Sequence, residues 1–306
     1  MTTQQAHAPR TIAEYLDQLR AALRGADPAL IQDALYDAEE HLRAELAEQP
    51  GRSEADMLAH VVGSYGAPEE VAELYRDQEI KIQRALRPPP TPTRRSLLGR
   101  FFGVAADPHT YGAMFYMLLS LATGIFYFTW AVTGIALSAA FSVLIIGLPF
   151  VVLFFGTVRA LSLVEGRIIE AMLGARMPRR PPYPGQANLS LGKRILAMFT
   201  DARTWSTLFY MFLMLPLGVI YFTLSVTLLS VSIGFIAAPF AWWFGDVRDK
   251  VTVNFGFGEH TPNFGDALIL FIVGSLLLFV TMHLMRGLGK MQAGIAKHLL
   301  VRSSGD

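Results

Sequence analysis

From residue 113 to residue 158 this chain carries no charged side chain. A helix needs about 20 apolar residues to cross the hydrocarbon core of a bilayer. The stretch is therefore long enough for two crossings, with a turn expected near residues 138–142. In lipid every backbone N–H and C=O must be satisfied inside the segment, so the spans are expected as helices. Two further apolar stretches, at about 206–230 and 267–285, raise the expected number of spans to four.

The apolar region is a duplication. Residues 107–133 and 201–227 align without a gap at a constant offset of 94. Asp107 matches Asp201, Thr110 matches Thr204, and Tyr111 matches Trp205. Phe115-Tyr116-Met117 recurs as Phe209-Tyr210-Met211, Gly124 as Gly218, and Tyr127-Phe128-Thr129 as Tyr221-Phe222-Thr223. Further on, Pro149 corresponds to Pro239, and Arg159-Ala-Leu161 to Arg286-Gly-Leu288. Between Pro239 and Arg286 the second copy carries an insertion. Gap-free self-similarity of this length marks an internal repeat.

Charge is distributed unevenly. Residues 1–85 hold sixteen acids against eight bases, and the rest of the chain nine acids against eighteen bases. The segment between the repeats carries Arg159, Arg167, Arg176, Arg179, Arg180, Lys193, Arg194 and Arg203, while the turn between the first two spans carries none. The C-terminal stretch adds Arg286, Lys290, Lys297 and Arg302. By the positive-inside rule both termini and the middle loop face the cytoplasm, and each repeat is an out-and-back hairpin. The first hundred residues hold no apolar run of the kind a secretory signal requires. The basic loop is read as facing lipid headgroups, since it lacks the aromatic interleaving of a nucleic-acid surface.

The acidic N-terminal segment reads as four short helices. Ile12, Tyr15, Leu16, Leu19 and Leu23 share one face of the first, and Gly25 stops it. Asp27-Pro28 caps the second, which runs to about Glu48 with Ile31, Leu35, Ala38, Leu42 and Leu46 inward. Asp37, Glu39, Glu40, Glu45 and Glu48 give its other face an acidic character. Ser53-Glu54-Ala55-Asp56 opens the third helix and Pro68-Glu69-Glu70 the fourth, with acids at the positive end of the helix dipole. The proline run from Pro88 to Pro92 cannot be helical and forms a semi-rigid spacer. Beyond it, Arg94, Arg95 and Arg100 lie among Leu97, Leu98, Phe101 and Phe102. That stretch is either a membrane-surface amphipathic segment or a plain positive flank of the first span.

The predicted fold is thus all-α: a small soluble helical domain (1–86), a Pro/Arg-rich linker and membrane-surface segment (87–104), a first repeat of two transmembrane helices (105–180), a cytoplasmic loop (181–200), and a second repeat (201–306) with an extracytoplasmic insertion at about 231–265.

Two resemblances accompany this reading. Tyr15-Leu16, Leu19, Asp37-Ala-Glu39-Glu40-His41-Leu42 and Tyr65-Gly66-Ala67-Pro68-Glu69-Glu70-Val71-Ala72 resemble the bacterial HAAS domain. That resemblance implies a membrane-tethered signalling module, often encoded beside a PadR-like transcription regulator. Asp107-x-x-Thr110-Tyr111, Gly124-Ile125-Phe126-Tyr127-Phe128, Gly147-Leu148-Pro149, Asp201-x-x-Thr204-Trp205, Pro216-Leu217-Gly218 and Arg286-Gly-Leu288 resemble a bacterial sensor membrane domain. In actinobacteria that domain often precedes a histidine kinase. This sequence contains no kinase phosphoacceptor helix and no Gly-rich ATP-binding loop, so output would pass through the N-terminal domain or a partner.

Candidate sites follow, each with a plainer alternative. Asp37, Glu39, Glu40 and His41 are a candidate partner surface. Asp37 and His41, four apart, could share a metal, but no third ligand accompanies them and the site is read as a solvated acidic face beside a half-buried histidine. Tyr127, Thr129 and Thr133 recur as Tyr221, Thr223 and Thr227, as a ligand cavity between the repeats or as packing between helices. Trp242, Trp243, Asp246, Arg248, Glu259 and His260 lie in the insertion, as an extracytoplasmic sensing loop or an aromatic belt with its covering loop. Glu165 and His283 lie near the cytoplasmic ends of their spans, where side chains reach water, and a flanking role is expected.

No cysteine is present, which excludes disulfides, thiolate metal sites and cysteine nucleophiles. No Gly-x-Ser-x-Gly, Walker loop or His-Glu-x-x-His motif occurs, and no metal or cofactor is expected. The leading expectation is a non-enzymatic sensor in the bacterial cytoplasmic membrane. Its expected partners are membrane lipids and a cytoplasmic regulator, with no direct nucleic-acid contact and the oligomeric state left open. The alternative is a transport-related protein with a substrate path between the repeats. The charge rule has a direct check: sidedness reporters fused at Asp306 and at Asn254 should report opposite compartments. A common side would dismiss the four-span arrangement.

Overall fold

The computed structural model describes residues 8–49, 51–86, 96–141, 147–180, 200–244, 253–254, 259–260 and 263–301. The described residues are helical apart from short connections and one two-residue antiparallel ladder, β1 (Val253–Asn254) with β2 (Glu259–His260). Helices α1 (Ile12–Ala22), α2 (Pro28–Glu48), α3 (Glu54–Ser64) and α4 (Pro68–Leu86) form the N-terminal domain. Then come α5 (Leu97–Phe102), a 3-10 turn (Gly103–Ala106), α6 (Pro108–Phe141), α7 (Gly147–Leu173), α8 (Ala202–Phe244) and α9 (Phe264–Leu300). The linker expected at 87–95 lies outside the described residues.

The N-terminal helices begin where their capping residues place them. Thr11 accepts from Glu14 N–H, Asp27 from Ala29 N–H and Ser53 from Asp56 N–H, each satisfying an orphan donor of a first turn. Gly25 and Gly66 take positive φ (82° and 111°), a conformation that a side chain disfavours, and so turn the chain between helices. Ile12, Tyr15, Leu19, Leu23, Ile31, Ala38, Leu42, Met57, Leu58, Val61, Val71 and Ala72 are buried together. Tyr15 is enclosed, and its hydroxyl donates to the Gly66 carbonyl at 2.9 Å, pinning α1 to the turn before α4. Burial, with nearby Tyr65, Glu69 and Glu70, pushes that hydroxyl's pKa well above the usual tyrosine range, so it stays a donor.

Helices α6, α7, α8 and α9 are each long and apolar enough to cross a membrane, which makes this a multi-pass membrane protein. Residues 138–141 of the expected turn at 138–142 are helical: α6 continues through Ser138 to Phe141, and α7 begins at Gly147. Helix α8 is also longer than its predicted span and reaches Phe244, so Trp242 and Trp243 sit on its last turn. Pro216 and Pro239 lie inside it, in the manner tolerated by buried membrane helices.

By chain contacts the protein divides into two units. One comprises residues 1–87, 133–210 and 294–306; the other, 88–132 and 211–293. In the second unit α6 and α8 cross backbone to backbone. A Cβ on Gly124 would strike the Met214 carbonyl, and one on Gly218 would strike the Ser120 carbonyl. These four positions are related by the same offset of 94, so the crossing is reciprocal. On α9, Gly274 admits Phe235 and the backbone of α8 in the same way. In the first unit Gly134 of α6 makes room for the Phe154 ring of α7. Small residues permitting close approach are the usual device where lipid supplies no hydrophobic drive between helices.

The second halves of the repeats correspond at an offset of 127, which extends the match to Glu165 and Gln292. Arg286 pairs with Asp107 at 2.6 Å, and Arg159 with Asp201 at 3.1 Å. Each repeat thus lends its arginine to the other's aspartate. Gln292 likewise binds Tyr221 (3.1 Å) and Tyr116 (3.3 Å), while Glu165 accepts from Tyr210 at 2.8 Å.

Replacing Gly218 by Leu should force α6 and α8 apart and cost about 1–3 kcal/mol, the usual range for overpacking. Gly156→Ala, at a position with open space around its Cα, should leave stability unchanged. Thermal unfolding of the two variants in detergent measures the contrast.

Candidate functional site

The chain leaves α7 at Leu173, turns at Gly174 (φ 69°) and runs back as a short irregular segment. Met177 of that segment is 1% exposed and lies where a Cβ on Gly166 would meet it at 3.3 Å, so the glycine lets the segment lie flat on α7. The neighbouring Arg176 is carried inward with it and is 7% exposed.

Arg176 is met by three buried carboxylates. Its Nη2 lies 2.8 Å from Asp33 Oδ2, its Nε 3.1 Å from Glu79 Oε2, and its Nη1 3.7 Å from Glu170 Oε2. Nη1 also donates to the Met177 carbonyl. Asp33 comes from α2, Glu79 from α4 and Glu170 from α7, so one guanidinium ties two helices of the N-terminal domain to the end of a membrane helix. The second oxygen of Asp33 accepts backbone N–H groups of Arg179 (2.7 Å) and Arg180 (2.9 Å). Arg179 turns its guanidinium to Glu170 at 2.8 Å.

Further contacts ring this centre. Arg180 pairs with Asp37 at 3.0 Å and sits over the Tyr36 ring. Gln32 Nε2 donates to the Arg180 carbonyl, and Gln32 Oε1 accepts from Arg203 at 2.7 Å. Arg203 also donates to the Leu300 carbonyl, and Lys297 pairs with Asp27. The N-terminal domain is therefore held by the segment after α7, the start of α8 and the end of α9.

Electrostatics favours holding charge on the arginine and loosening it on one acid. Burial acts against the Arg176 cation, but Asp33 and Glu79 outweigh it and hold the guanidinium charged. Burial pushes the Asp33 carboxyl above its ordinary range, against the pull of two backbone N–H groups and Arg176.

The structure places the sequence-predicted residues as follows. Asp37 is engaged by Arg180 and by the Tyr75 hydroxyl at 3.1 Å. Glu39 is buried rather than on the acidic face and pairs with Arg43 at 2.9 Å. Glu40 is exposed, and His41 stacks on Tyr65 with ring centroids 4.4 Å apart. Tyr127 and Tyr221 are buried, whereas Thr129, Thr133, Thr223 and Thr227 are exposed on their helices. Two residues along a helix is a rotation of about 200°, which puts Thr129 opposite Tyr127 and Thr223 opposite Tyr221. Those six residues are not brought into one site. Trp242 and Trp243 lie against Phe264, with centroids 5.1 and 6.5 Å away. Asp246 and Arg248 lie outside the described residues, and Glu259 and His260 are described only as strand β2. His283 meets the Phe101 carbonyl at 3.0 Å and stacks on the Phe101 ring. Glu165 does not reach water: it is 1% exposed, because Tyr210 supplies its hydrogen bond from within.

Sequence reasoning missed Asp33, Gln32 and Glu79. The available signal was an acid on the inward side of α2, next to Ile31 and Ala34, together with the opposite charges of the two parts of the chain. Of the basic residues expected to face headgroups, Arg176, Arg180 and Arg203 instead hold the N-terminal domain.

Changing Arg176 to Met would take the shared cation from Asp33, Glu79 and Glu170, a loss of about 3–5 kcal/mol for a broken buried ion pair. Asp33 gives the pH dependence. A carboxyl raised in the docked state stabilises docking below its undocked value, and that contribution is lost as pH rises through the docked value. Asp33→Asn, which mimics the protonated acid, should flatten that share of the dependence. Unfolding of parent and variants followed between mildly acidic and neutral pH reads both effects.

Comparison with protein families matches residues 116–300 to the family described as "Putative sensor" and residues 14–73 to HAAS. Searches of curated proteins and of solved structures found no match. The two resemblances read from the motifs are thereby borne out in one chain. Asp33 falls inside the HAAS match, and Glu170 and Arg176 fall inside the sensor match, so the buried charge cluster joins the two matched regions. The sensor match spans more than half of the residues, from α6 to the end of α9, and the chain belongs to that sensor family, with a HAAS domain at its N-terminal end.

Proposed function

We propose that this protein is a non-enzymatic signalling protein of the bacterial cytoplasmic membrane, with both termini in the cytoplasm. Its membrane domain responds to envelope or lipid state by holding or releasing the HAAS domain, and the released domain captures a cytoplasmic regulator. The observation that carries this reading is the buried Arg176 cluster, which joins two helices of the acidic domain to the end of one membrane helix through charge.

Charge is well suited to a two-state contact. A buried ion pair adds little net stability over an apolar contact, yet it is strict about geometry. A small displacement at the ends of α7, α8 or α9 would misalign it and shift the balance toward the undocked form. In the docked form Asp37 is already paired with Arg180. A regulator that uses Asp37, Glu40 and His41 of the candidate surface would therefore compete with docking. Such a partner presents basic groups, and the HAAS resemblance makes a PadR-like regulator the first bait to test. The transport alternative has less support, since its path would have to pass the α6–α8 crossing, where backbone touches backbone.

The absence of cysteine makes a clean test available. Asp27→Cys with Lys297→Cys, joined by a short cross-linker, should lock the domain down and reduce regulator capture several-fold. Arg176→Gln should raise capture several-fold, and adding Asp37→Asn and Glu40→Gln should abolish that gain. Capture that is the same in locked, parent and Arg176→Gln proteins would refute the release mechanism.

A further inference from the structure

Val158, Arg159, Ser162 and Leu163 of α7 face Arg203, Thr204 and Thr207 of α8 across a small, partly open cleft. The cleft begins where the charge-free stretch ends, at residue 158. The α7 wall offers Val158 and Leu163 beside Arg159 and Ser162, and the α8 wall offers Arg203 and two threonines.

Thr204 is the anomaly. It is 2% exposed, and among the described residues its Oγ1 has no hydrogen-bond partner. A buried hydroxyl left unpaired forfeits the hydrogen bonds it made to water, so such a group calls for an explanation. The repeat supplies an internal control. The matching Thr110 is equally buried, but its hydroxyl donates to the Val104 carbonyl at 3.1 Å. Other positions of the cleft also diverge between the repeats. Ser162 corresponds to Gly289, Arg203 to His109 and Thr207 to Ala113. The hydroxyls of Ser162 and Thr207 thus have no counterpart at Gly289 and Ala113, whereas Leu163 corresponds to the cation Lys290.

The charges suit an anion. Arg159 and Arg203 both line the cleft, and Asp201, 3.1 Å from Arg159, offsets one of them. Thr204 stands in the first turn of α8, whose dipole adds partial positive charge. Planar guanidinium forks match phosphate oxygens, and a cleft at the polar end of a span lies at the depth of lipid phosphates.

We propose that this cleft binds a phosphate group, borne by an anionic phospholipid headgroup or free in solution, with the Thr204 hydroxyl and the Arg159 and Arg203 guanidiniums as its donors. Arg203 is also the residue that holds Gln32 of the HAAS domain at 2.7 Å. Occupancy would draw on the same guanidinium and so bias docking. That coupling rests on the release mechanism proposed above; the binding does not.

The test uses the full chain in phosphatidylcholine nanodiscs, in three arms: no addition, phosphatidylglycerol in the bilayer, or inorganic phosphate in the buffer. Thermal unfolding should shift upward in at least one of the two phosphate arms, and which arm responds identifies the source. Thr204→Val paired with Thr207→Val should lose that shift several-fold. In phosphatidylcholine alone this variant should melt no lower than the parent, because an unpaired buried hydroxyl has been removed. Thr110→Val should melt lower in every arm, having lost its bond to Val104, yet keep the response. A parent that responds to neither probe, or a Thr204→Val/Thr207→Val variant that responds like the parent, overturns the site. Cross-linking of Asp27→Cys to Lys297→Cys in the same arms reads the coupling separately. A thermal shift without a change in cross-linking leaves the phosphate site standing and removes its coupling to docking.

Discussion

One guanidinium organises the contact on which this protein's signalling reading depends. Arg176 lies among Asp33, Glu79 and Glu170, all of them buried. Taking such a group out of water costs several kcal/mol, and only partners placed at hydrogen-bond distance recover it. The cluster is therefore less a source of stability than a condition on position. The HAAS domain can dock only where two of its helices present acids to Arg176 and Asp33 meets the backbone N–H groups of residues 179 and 180. Gly174 and Gly166 make this possible, the first by turning the chain and the second by letting it return along α7.

The membrane helices follow a second rule, reciprocity. The two repeats share a backbone crossing at Gly124 and Gly218, and each lends an arginine to the other's aspartate. Deviations from the rule are the informative places. Gln292 and Glu165 occupy matching positions, one an amide between two tyrosines and the other a carboxylate bound by Tyr210. Lys297 and Glu170 also match, and both serve the HAAS domain with opposite charge: Lys297 pairs with Asp27, while Glu170 meets Arg176 and Arg179. A duplicated scaffold has thus been made unequal where it holds a partner domain, and unequal again at Thr204 and Thr110.

Much of this architecture was legible in the residues alone. Caps at Thr11, Asp27 and Ser53 and turns at Gly25 and Gly66 depend on neighbours a few positions away, so local pattern located four helices closely. Long apolar runs announce spans because lipid tolerates no unsatisfied backbone. Ends of spans were less legible: Ser138 and the segment after residue 230 look like loop, yet α6 and α8 carry through them. A helix in an apolar setting continues for as long as its hydrogen bonds do, whatever the local polarity. The recurring Tyr/Thr pattern misled in a different way, since recurrence reflects the duplication and does not require the residues to share a face.

The sequence by itself determined the helices, the duplication, the opposite charges of the two parts and the family to which the chain belongs. These are properties of local spacing and composition, readable without knowing what touches what. Only the tertiary structure decided where the opposite charges meet. It drew Asp33, Glu79, Glu170 and Arg176 together from across the chain, buried Glu39 and Glu165, and left the Thr204 hydroxyl without a partner among the described residues. Each of those outcomes depends on which surfaces exclude water, and that is settled by packing between distant segments, which no local pattern encodes.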